Sequence, residues 1–274
     1  MPYAVNGKVR IYYETRGEGT PLLMLMGWLA NRAWWPESLL ASLESHVQMI
    51  LVDNRGAGDS SDTTGIYSMA DLAHDAVAVL DDLGLEQAHV LGVSMGGMVA
   101  QEIALHHAER VKHLILLSTS ASPVSFRYFT RNQQQFWLKN LLKRDRSWRE
   151  LQLDLMFSRE AGEEMNSELE TFVNRIYSLP NSKVTHIKQY LAIMRFNTLK
   201  RLRQLQCPTL VATGTNDLIL SHHHSRDLHR RIPNARLYEV PGGSHAMLGE
   251  SEELARTFIE FLHDPEPSRK AEAG

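Results

Sequence analysis

VLGVSMGGMVAQ, residues 90–101, joins an apolar run to a helix-forming run through one serine crowded by glycines. The residues before it, HVLGV (89–93), are short and apolar enough for a buried strand, and MGGMVAQEIALHHAE (95–109) has the composition of a helix. Ser94 then falls on a sharp strand-to-helix turn, where the backbone is strained and neighbouring side chains would collide. Gly92 and Gly96, two residues to either side, answer that crowding, and Gly97 lets the helix approach the strand. A buried strand entering a helix through such a turn is the repeating unit of a parallel sheet.

Outward from this unit the same rhythm recurs. Continuous apolar runs appear at PLLMLMG (21–27), VQMILVD (47–53), VKHLILLST (111–119), PTLVATG (208–214) and ARLYEVPG (235–242). They lack polar alternation, as strands buried on both faces do. Between them, Met69, Leu72, Ala76, Val79, Leu80 and Leu83 share one helical face, with Ser68 placed to cap the start and Gly84 to end it. SHHHSRDLHRRI (221–232) and SEELARTFIEFLH (251–263) read as further helices. The N-terminal PYAVNGKVRIYYETRG instead alternates around Asn6-Gly7, which predicts an antiparallel hairpin with those two residues in the turn. The expected fold class is α/β: a mostly parallel, doubly wound sheet opened by an antiparallel hairpin.

The rhythm breaks at 122–198, where no strand is evident and aromatic residues such as Phe129, Phe136, Trp137 and Trp148 accompany Arg, Gln and Glu. A helical insertion after a strand's carboxyl end is placed to cover a site there. The expected division is a core over 1–121, a helical cap over 122–198, the rest of the core over 199–264 and a polar tail over 265–274.

Across 274 residues, 43 % are hydrophobic and 22 % charged, with a formal net charge of −3. These values exclude disordered, collagen-like and coiled-coil classes and give no positive field for nucleic acid or an anionic membrane. A small neutral or apolar partner fits better. One cysteine, Cys207, rules out an internal disulfide, MPYAVNGKVR lacks the pattern of a signal peptide, and no apolar run nears 18 residues. A cytoplasmic, reduced setting is expected.

If Ser94 is a nucleophile, it needs a base within hydrogen-bond reach and a carboxylate to orient that base. His245, in VPGGSHAML after the last strand, can reach the carboxyl edge of the sheet. His106, His107, His222, His223, His224 and His229 fall in helices and are expected to be solvated or partly packed; consecutive helical histidines point apart and cannot share an ion. Asp217, in the loop after VATG, supplies the acid, and the order Ser94, Asp217, His245 is that of a nucleophile-elbow hydrolase. No Asp or Glu occurs in VKHLILLSTSAS to compete with it. Oxyanion donors are expected at the Met95 amide, directly after the serine, and at Trp28, which follows Gly27.

MGWLANRAWW, LVDNRGAGDSS, LGVSMGGMVAQ, CPTLVATGTNDLI and PGGSHAML, in this order and spacing, resemble the α/β-hydrolase fold superfamily over nearly the whole chain outside the insertion. The likeness is strongest to its small esterases, cofactor-free perhydrolases and enol-lactonases. It implies catalytic roles for Ser94, Asp217 and His245, oxyanion donors at Met95 and Trp28, and structural roles for Asp53, Arg55 and Gly58. Two departures stand out: Met26 where many relatives carry His before the oxyanion glycine, and Ser221 where they often carry Pro. The expected function is hydrolysis of small, largely apolar carboxylic esters through an acyl-enzyme. Met98, Phe136, Trp137 and Met247 are expected in the substrate pocket, and no cofactor or metal is needed. Perhydrolysis, lactone or carbon–carbon bond cleavage with the same triad, and ligand binding without catalysis, are the alternatives.

Overall fold

The eight strands foreseen from the apolar runs and the hairpin close into one sheet in the computed structural model. It describes residues 2–125, 128–141, 171–172, 174–179, 182–245 and 251–264. The strands are β1 (Tyr3–Asn6), β2 (Val9–Arg16), β3 (Thr20–Leu25), β4 (Val47–Val52), β5 (Ala88–Val93), β6 (Val111–Leu117), β7 (Thr209–Gly214) and β8 (Ala235–Val240), in the order β1-β2-β4-β3-β5-β6-β7-β8. From β4 to β8 neighbours run parallel, whereas β1–β2 and β2–β4 are antiparallel. Every residue of β5 and β7 is buried, which explains their unbroken apolar character.

The helices are α1 (Glu37–Leu43), α2 (Met69–Asp82), α3 (Met95–His106), α4 (Arg131–Leu141), α5 (Lys183–Arg195), α6 (His222–Arg231) and α7 (Ser251–Leu262). The Ser68 hydroxyl caps α2 by accepting from the Asp71 amide while the Asp71 carboxylate accepts from the Ser68 amide. Gly84 follows α2 with φ +67°, the left-handed residue its end requires. One apolar core lies on the sheet face covered by α2, α3 and α6, with Leu72, Val99, Ile103 and Leu228 at its centre. The other lies under α1 and α7 and is built on Leu40, Leu43, Leu254 and Phe258.

The N-terminal turn differs from its expected form. Asn6 pairs with Val9, so the two loop residues are Gly7 and Lys8, and Gly7 alone takes positive φ, at +60°. Asn6 stays in the strand, where its side-chain amide donates to Asp75 at 2.8 Å. That tertiary bond holds Asn6 extended instead of letting it enter the turn.

The sheet reverses its winding between β3 and β5. The chain leaves β3 towards α1 on one face and leaves β5 into α3 on the other, so a crevice opens at the carboxyl ends of these adjacent strands. The insertion joins this edge; among the described residues of 122–198 it holds helices α4 and α5 and no strand. No described helix is long and apolar enough to cross a membrane.

Candidate active site

Ser94 stands at this crevice with φ +54° and ψ −118°, a conformation rare for any residue but glycine. The glycines around it are sterically required. A Cβ on Gly92 would meet the Gly96 carbonyl oxygen at 2.3 Å, and one on Gly96 would meet the Leu25 carbonyl oxygen at 2.1 Å. A Cβ on Gly97 would strike the Thr119 side chain at 2.6 Å. Two bonds hold the turn: the Ser94 amide donates to the Leu117 carbonyl at 2.9 Å, and the Thr119 hydroxyl donates to the Ser94 carbonyl at 2.6 Å. Met95 opens α3, and amides in a helix's first turn have no acceptor within the helix.

The loop after β3 meets Ser94 from the other side of the crevice. Leu25 pairs with Gly92, so Gly27 and Ser94 emerge at the same level, and a Cβ on Gly27 would lie 3.1 Å from Ser94 Cβ and 3.6 Å from its Oγ. Trp28 follows directly, then Leu29 at φ +67°. Asn54, 4 % exposed, donates to the Met26 carbonyl at 3.0 Å. Asp53 accepts the Arg32 amide at 2.8 Å and the Arg32 guanidinium, and also the Asp59 amide at 3.0 Å. Gly58, with φ +53°, clears the space this carboxylate fills, since a Cβ there would lie 2.1 Å from Asp53 Oδ2. Arg55 forms a buried pair with Asp75. Asp53, Arg55 and Gly58 thus shape the loops beside the site.

At the ends of β7 and β8, Asp217 and His245 are buried together with 2.7 Å between Asp217 Oδ2 and His245 Nδ1. The other carboxylate oxygen accepts the Ile219 and Leu220 amides at 2.7 and 2.8 Å, which fixes the acid's orientation. With the carboxylate accepting, Nδ1 carries a ring proton, and in the neutral ring this leaves the lone pair on Nε2. Glycine again permits the approach: a Cβ on Gly214 would meet the Gly243 carbonyl oxygen at 2.1 Å. His224 also lies near Asp217 but is buried, not solvated, with its ring edge-on to Tyr128 at 4.8 Å. Burial pushes that imidazole down to about 4 against the pull of Asp217, so it stays neutral.

The insertion touches both loops of the site. Tyr190 of α5 lies against Trp28, ring centroids 5.7 Å apart, and the Trp28 indole donates to the His186 carbonyl at 2.9 Å. From α4, Trp137 donates to the Leu218 carbonyl at 3.1 Å and Asn132 donates to Asn216 at 3.1 Å. Phe136 is half-buried and edge-on to Trp137, Met98 is buried in the core beneath α3, and Met247 lies outside the described residues. Asn54 and the Gly214–Gly243 approach escaped the sequence reading, although a polar residue directly after a strand and glycines at two strand ends were visible signals. Among the described residues, no three His, Cys, Asp or Glu side chains are arranged to hold a metal ion.

Residues 20–252 match the family model described as the alpha/beta hydrolase fold, and the chain belongs to that family of hydrolases. Among curated relatives, the Azorhizobium caulinodans protein named, provisionally, carbamate hydrolase RutD is 32 % identical over 248 residues, 90 % of this chain and 92 % of that one. The enol-lactonase of Burkholderia xenovorans LB400 superposes with a TM-score of 0.82 at 22 % identity, covering 96 % of this chain and all of that one. The esterase EaEST of Exiguobacterium antarcticum does so with 0.81 at 25 % identity, over 96 % and 99 %.

Proposed function

We propose that the protein hydrolyses small, largely apolar carboxylic esters through an acyl-enzyme on Ser94. The observation that carries this reading is the strained turn at Ser94, which costs about 1–3 kcal/mol and presents a hydroxyl instead of the glycine that would relax it. Ser94 Oγ attacks the ester carbonyl while His245 Nε2 takes its proton, and Asp217 holds the ring. The Met95 and Trp28 amides bind the oxyanion, an effect of about 2.7 to 4 kcal/mol per donor in a known mutational case. His245 then protonates the departing alcohol and activates water for deacylation. Residues 122–198 act as a cap, with Phe136 and Trp137 facing the substrate and Met98 beneath it. The chemistry uses no cofactor, and a single cysteine suits the cytoplasm.

A carbamate is the second reading, favoured by the Azorhizobium relative and served by the same attack on an acyl carbon. A panel of p-nitrophenyl esters, lactones and carbamates, run with and without hydrogen peroxide, separates these readings and perhydrolysis. Ester turnover should exceed the others and vanish in a folded Ser94→Ala variant. Undiminished turnover in that variant would overturn the assignment.

A further inference from the structure

The contacts between the insertion and the two site loops have a reciprocal form. Trp28, on the loop after β3, sends its indole N–H into the insertion, to the His186 carbonyl of α5 at 2.9 Å. Trp137, on α4, sends its indole N–H the other way, to the Leu218 carbonyl directly after Asp217, at 3.1 Å. Each bond therefore joins a helix of the insertion to a loop carrying a group of the candidate site. Both have neighbouring support. Tyr190 packs on the Trp28 ring, and Lys188 and Thr185 of α5 bind Asp62 at 2.9 and 3.1 Å. Asn132 holds Asn216, the residue before Asp217, at 3.1 Å.

Neither loop is held by regular secondary structure at these points. Leu29, next to Trp28, has φ +67°, a conformation unfavourable for leucine, so the backbone at the amide depends on surrounding contacts for its position. The Leu218 carbonyl lies in the segment whose next two amides, of Ile219 and Leu220, orient the Asp217 carboxylate. Rate is sensitive to such placement, because displacements near 1 Å can cost a hundredfold.

We infer that Trp28 and Trp137 are positioning residues, whose indole bonds make the seating of the insertion set the oxyanion amide on one side and the acid loop on the other. The inference rests on the proposed ester hydrolysis at Ser94. It gives the Trp28 side chain a task separate from that of its backbone amide, and gives Trp137 a task other than lining a pocket.

Phenylalanine keeps an aromatic ring at each position and removes the N–H together with the pyrrole half of the indole. In Trp28→Phe and Trp137→Phe, acylation of Ser94 by a fluorophosphonate and kcat for p-nitrophenyl acetate should each fall about tenfold, with KM within about twofold. The double variant should be slower than either. A role in fold stability alone would lower the melting temperature and leave acylation rate and kcat per folded molecule unchanged, which would overturn the inference. Asn132→Ala, at an exposed side chain, serves if the tryptophan variants do not fold; acylation should slow severalfold, and a wild-type rate would count against the inference. Absence of labelling in the wild-type protein would instead refute the functional reading beneath it.

Discussion

Ser94 adopts φ +54° although it carries a side chain, between glycines that admit no Cβ. Its strain can be separated from its chemistry. Ser94→Ala keeps the strain and Ser94→Gly releases it, so the glycine variant should be the more stable of the two by about 1 kcal/mol or more. Both should be inactive. Urea unfolding of the pair checks this, and equal midpoints would mean that the turn stores no strain. The glycines that force this conformation were legible in the sequence because spacing alone reveals them. Trp28's bond to His186 was not, since its partners are 158 residues apart and meet only through the tertiary fold.

The segment after β4 is held by polar contacts. Arg55, 8 % exposed, binds Asp75, 2 % exposed, at 2.5 and 2.7 Å, which ties this loop to α2. Removing one partner leaves a buried charge unpaired. Arg55→Leu should cost about 3–5 kcal/mol, and adding Asp75→Leu should recover part of that loss. Denaturant titration of the single and double variants measures this, and additive losses would contradict it. The sequence marked Arg55 as a structural support, but its partner Asp75 is an acid buried beside the apolar face of α2, a placement that the pattern of apolar residues does not reveal. Strands were easier to read, because burial on both faces leaves an apolar run no polar gap. The first hairpin was legible as a pair and not in its turn, where Asn6 is claimed by Asp75.

Over the whole molecule, His89 and His224 are buried and held neutral. Burial pushes His89 down to about 3, with His113 and Lys112 adding to the shift, and burial also lowers His113. Unfolded imidazoles take up protons near pH 6.5, whereas these do so only at lower pH. The contribution of His89 to stability is therefore complete above about pH 6.5 and is lost as the pH falls towards about 3. In His89→Leu, the stability difference between pH 7 and pH 4.5 should shrink, and an unchanged difference would show that His89 has no part in it. The fold was legible at this scale because the order of strands and helices fixes a doubly wound sheet, whose winding reverses where Gly27 and Ser94 meet. What the apolar runs could not show is how α4 and α5 seat on the site, since polar side chains and backbone carbonyls make those contacts. The account turns on Ser94 carrying the acyl group. Acid-quenching the protein during turnover of a p-nitrophenyl ester, followed by peptide mass mapping, tests this directly. The account predicts one acyl group per chain, on Ser94, and sustained turnover with that serine never acylated would contradict it.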